Sequence, residues 1–81
     1  MLFRSLAAAA QQVEVAAAAW AEAREALDQA QTRYRTGVSA ITELLDVQAA
    51  ATAAHLTLLT ARRDHAVARA ALDFAYGAFD R

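Results

Sequence analysis

The chain has 81 residues, and its eight arginines (there is no lysine) stand against nine carboxylates for a net charge of −1. It holds 25 alanines and two glycines, with no proline and no cysteine. That balance gives no electrostatic case for nucleic acid or an anionic membrane surface, rules out a disulfide framework or thiolate metal site, and favours continuous helix in one small domain.

The opening Met1-Leu2-Phe3-Arg4-Ser5-Leu6 and the alanines at 7 to 10 read as ordinary helix rather than a signal peptide. Arg4 follows the first apolar pair instead of preceding it, and the apolar run is short and mostly alanine. No stretch of 18 strongly apolar residues occurs, so no membrane-spanning helix is expected.

From there to Tyr34 the large apolar residues step by seven: Leu6, Val13, Trp20, Leu27, Tyr34. An alanine follows three places after each of the first four, at Ala9, Ala16, Ala23 and Ala30. This is a heptad with a bulky side chain at one seam position and alanine at the other. A first helical arm over about 3–35 is expected, roughly 50 Å long at 1.5 Å per residue.

Gly37 is the one strong helix breaker between the two apolar-periodic segments. A glycine just past Arg33 and Arg35 suits a C-terminal cap, where a positive φ costs glycine little and cations complement the helix dipole. A turn over about 36–39 follows, with Ser39 or Thr42 able to cap the next helix.

The second arm, about 40–77, repeats the pattern. Leu44, Ala51, Leu58, His65, Leu72 and Phe79 hold one seam position, and Val47, Ala54, Ala61, Ala68 and Ala75 the other. Gly77 and the residues after it read as the helix end and a short tail. Folding the chain at Gly37 pairs residues whose numbers sum to 74, so that Leu6 faces Ala68, Val13 faces Ala61, Ala16 faces Leu58 and Leu2 faces Leu72. Most layers set a large side chain against an alanine, which permits close packing. The fold class expected is therefore all-α, an antiparallel two-helix coiled-coil hairpin turning at about Gly37.

Ile41, Leu45, Leu56, Leu59, Val67 and Phe74 fall off that seam and widen the apolar face of the second arm. A lone hairpin has no use for a second apolar face, so further helices alongside, in a bundle or a ring, are expected.

Little catalytic chemistry is legible. His55 and His65 are ten residues apart, not the i, i+4 pair that holds a metal on one helix, and read as packed or surface histidines. No Ser/His/Asp set, phosphate loop or acid/base pair stands out, so neither an enzyme nor a cofactor is indicated. Trp20 and Tyr34, being on the seam, read as core. Glu43 and Asp46 lie i, i+3 beside the turn; they either complement the dipole of a helix start or serve a function of their own.

The central stretch is more specific. Arg33-Tyr34, Gly37 three places after the tyrosine, and Glu43-Leu44-Leu45-Asp46-Val47-Gln48 together resemble the outer membrane efflux protein family, the TolC-like channels, at the periplasmic tip of their C-terminal helical hairpin. Glu43 stands where aspartate is usual, Val47 where alanine is usual, and Ser39 falls one place early. The resemblance implies a trimeric outer membrane channel whose helical barrel docks a membrane fusion (adaptor) protein. It implies that Tyr34, Gly37, Val38 and Ser39 form the adaptor-facing tip, and that Glu43 and Asp46 lie at the pore constriction. A ring of carboxylates there would favour cations. It also implies a location on the periplasmic side of the outer membrane, with this chain a fragment of a larger channel protein that has no membrane span of its own here. The alternative is a free-standing helical hairpin that self-associates in a structural role. An amphipathic peptide lying on membranes is disfavoured by the lack of a basic face.

Overall fold

A computed structural model describes residues 2–79, without the side chains of residues 2, 3, 5, 78 and 79. Two α-helices account for nearly all of it: α1 over Leu2–Arg35 and α2 over Ile41–Phe79. They pack along their length into a rod with principal extents of 66 × 14 × 14 Å. The described residues contain no strand. The hairpin architecture is the one the heptads predict, and the residues that pack it are the seam residues. On α1, Leu6, Ala9, Val13, Ala16, Trp20, Ala23, Leu27 and Ala30 are buried or half-buried. On α2 the same holds for Leu44, Val47, Ala51, Ala54, Leu58, Ala61, His65, Ala68, Leu72 and Ala75. Ala16, Leu58 and Ala61 form the central buried cluster, with Val13, Ala17 and Trp20 against it. Those are the 16/58 and 13/61 layers of the 74 register. The layer proposed for Leu2 against Leu72 and the seam place of Phe79 lie outside the described side chains.

The buried set is small. Among the described residues it is Ala16, Ala30, Ala51, Ala61 and Leu58, four alanines and one leucine. Alanine at every second seam position lets two backbones run close together, but among the described bulky seam residues Leu58 alone is fully buried.

The reversal is closed by backbone hydrogen bonds. The Gly37 N–H donates to the Tyr34 carbonyl (3.0 Å) and the Val38 N–H to the Arg33 carbonyl (2.9 Å). These two bonds satisfy carbonyls left free at the end of α1, in the pattern of a Schellman cap. The cap requires a left-handed residue, and Gly37 supplies it at φ = 79°. The Thr36 hydroxyl donates a further bond to the Arg33 carbonyl.

Three details depart from the sequence-based expectations. Neither Ser39 nor Thr42 caps α2: the carbonyl of Ala40 accepts from Glu43 and Leu44, which makes Ala40 the capping position, and Ser39 Oγ is buried without a partner. Ser39 sits one place too early, and Thr42 is already inside the first turn. Gly77 does not end α2, which continues to Phe79. A glycine away from positive φ only weakens a helix, by about 1 kcal/mol, and does not stop it. Finally, α2 contains an 18-residue window of mean hydropathy 1.2, so by length and composition alone one helix among the described residues could cross a membrane. The value reflects apolar residues on two opposite faces of α2.

Candidate functional site: the closed end of the hairpin

The turn and the first two turns of α2 gather the residues singled out by the sequence. Tyr34 closes α1, where the 74 register sets it opposite Ala40, a residue of the connection. With no helix beyond to cover it the ring is 43% exposed, so Tyr34 is a surface residue and not part of the core. Val38 stands further out, 71% exposed. A Cβ built on Gly37 would meet no atom within 4 Å, so the glycine is required by its backbone angle and not by crowding. The end of the rod thus presents an aromatic ring and an aliphatic side chain around a tight turn that caps α1, with Ser39 tucked partly beneath.

The two acids behave differently. Glu43 Oε1 lies 2.9 Å from Arg33 Nη1, an ion pair that ties the last turn of α1 to the first turn of α2. Both members also sit where the dipoles favour them, a cation at a helix C-terminus and an anion at an N-terminus. Asp46, one turn further along, is exposed and has no ion-pair partner among the described residues. The structure therefore leaves one carboxylate engaged and one open near the turn.

Away from the turn, the Trp20 indole stacks on the His55 imidazole across the helix pair, with ring centroids 4.4 Å apart and planes 11° from parallel. The Arg24 guanidinium carbon lies 5.7 Å from the indole centroid. His65 is half-buried at its seam position. The Trp20–His55 stack is invisible to the heptad pattern, because His55 flanks the seam, and a heptad count assigns layers without assigning what leans in from the flank. Among the described residues no group of three or more potential ligands could hold a metal ion. An open groove of about 680 Å³ follows one flank of the pair, where Val15, Ala19, Leu56 and Thr60 are among its lining residues. Asp64 is its one titratable side chain, so the groove has no acid/base pair to offer.

No curated protein matches the chain, and no solved structure does. The family model for outer membrane efflux proteins matches residues 1–78, nearly the whole of the chain. With the glycine-capped reversal and the paired heptads in the positions the motif requires, the match has a structural counterpart: the chain belongs to the outer membrane efflux protein family.

Proposed function

We propose that the chain is the periplasmic tip hairpin of a TolC-like efflux channel, which docks an adaptor protein at its closed end and lines the pore entrance. The observation that carries this reading is the exposure of Tyr34 and Val38 at the end of a long narrow rod, around the turn made by Gly37. An end-on partner meets that surface first. Tyr34, Gly37, Val38 and Ser39 make the contact, with the membrane fusion (adaptor) protein as partner and a homotrimer as the working assembly. Glu43 and Asp46 face the constriction, where a carboxylate ring in a narrow mouth favours cations. The test is titration of an adaptor hairpin onto this chain and onto its Gly37→Val variant, with helix content followed alongside. Binding at least tenfold weaker in the variant supports the reading, and unchanged binding counts against it.

A second reading is a hairpin that associates with copies of itself. The outward apolar stripe on α2 favours it, since Leu45, Leu56, Val67 and Phe74 are each more than half exposed.

A further inference from the structure

Glu43 and Asp46 stand three residues apart at the start of α2, a spacing that brings their Cβ atoms within about 5–6 Å. Two carboxylates that close act on a passing cation together, unless something neutralises one of them. At 100° per residue, Asp46 lies about 60° further round α2 from the packed seam than Glu43 does. Glu43 is therefore the acid on the flank next to α1, and there its Oε1 meets Arg33 Nη1 at 2.9 Å. Asp46 forms no ion pair among the described residues. One turn to either side of it on α2 are Thr42, Glu43, Ala49 and Ala50, none of them basic. Arg35, the other cation in the last turn of α1, lies about 200° round that helix from Arg33, on the opposite flank.

A guanidinium against a carboxylate leaves no net charge at that level of the rod. The closed contact adds little stability, since both side chains are about half exposed. Neutralisation does not depend on that stability. Arg33 is fixed in the last turn of α1, so its charge stays near Glu43 even when the contact opens. Nor does it depend on pH, because a guanidinium is always charged.

We infer that Arg33 is a built-in counter-ion for Glu43 and so the residue that sets the charge at the pore entrance: each chain offers one open carboxylate there, Asp46, rather than two. The inference rests on the placing of Glu43 and Asp46 at the constriction, and it refines that reading. The ring of acids that attracts cations is the Asp46 ring, while the level nearer the turn is neutral. Conduction requires an ion to leave as well as to enter, and a single charged ring favours release. The effect is large enough to measure. A divalent cation about 6 Å from a fixed positive charge in water binds on the order of tenfold more weakly than it would without that charge.

The chain alone serves for the test. Mn²⁺ is the probe, read by its paramagnetic broadening of the amide signals around Glu43 and Asp46, at low ionic strength where screening is least. Helix content is followed on every variant. Arg33→Gln is expected to bind the ion about tenfold more tightly than the parent, because it uncovers Glu43 beside Asp46. The double variant, Arg33→Gln with Glu43→Gln, removes both charges and is expected to match the parent. Asp46→Asn should bind more weakly than any of these. An Arg33→Gln chain that binds no better than the parent overturns the inference. So does a double variant much weaker than the parent, since Glu43 would then attract cations despite its arginine. The cycle needs no adaptor, so its failure leaves the docking reading standing, and failure of the adaptor titration leaves the cycle standing.

Discussion

The two helices of this hairpin are built from similar residues and yet differ in how many faces they commit. α1 is apolar along one face; its far side carries Arg4, Gln11, Glu22, Glu25 and Gln29, all exposed. α2 is apolar along two opposite faces, one packed on α1 and one uncovered. The first helix is finished once the hairpin closes, whereas the second still holds a surface that water disfavours. A packed face and an uncovered apolar face thus lie on opposite sides of a single helix, and adjacent residues can belong to different faces.

Leu58 and Leu59 test that division most sharply. Leu58 is 2% exposed and Leu59 is 46% exposed. Leu58→Ala is expected to destabilise the hairpin by about 2–5 kcal/mol, the usual loss for truncating a buried leucine. Leu59→Ala should change hairpin stability by less than about 0.5 kcal/mol, as exposed positions do. Thermal unfolding of the two variants measures both effects. Equal losses at both positions would break the comparison.

The connection between the helices comes next. Gly37→Val is expected to cost about 1–2 kcal/mol, the penalty for an L side chain in the left-handed region, with the β-branched residue at the upper end. Gly37→Asn should lose much less, because asparagine visits that region more readily than other residues. Since no atom crowds the site, the whole effect comes from the backbone, and chemical denaturation of the two variants measures it.

The helix ends at the turn are also unequal. α1 finishes with two capping hydrogen bonds and two arginines in its last turn, whereas α2 begins at an alanine that has no side chain to offer. Ala40→Ser should therefore stabilise the chain, by about 1 kcal/mol, read as a raised unfolding midpoint. A smaller effect is expected at the ion pair that bridges the two helices. Arg33→Ala should cost about 0.2–1 kcal/mol, because both side chains are about half exposed. The difference from the parent should shrink as salt is raised.

The seam was legible because its spacing follows from helix geometry and its partners from one reversal point. Each described side chain on it, apart from Tyr34 at the turn, is at least half-buried. The reversal was legible because glycine alone fits the left-handed cap at little cost. Tyr34 escaped because a heptad count does not say where the facing helix ends. The start of α2 escaped because Ser39 and Thr42 could each have capped it, and the turn's own hydrogen bonds put Ala40, which has no polar side chain, in that place. Near the turn, Glu43 and Asp46 could be located from the sequence, but their inequality depends on the reach of Arg33 across the gap between helices.

The stack of Trp20 on His55 has a practical consequence. The indole is the chain's one tryptophan, and it leans on a ring carried by the opposite arm. Its fluorescence should therefore report when the arms part, with no attached dye. Set beside the open ends and the tightly tied turn, this intrinsic gauge near the midpoint can reveal in which direction the rod unzips.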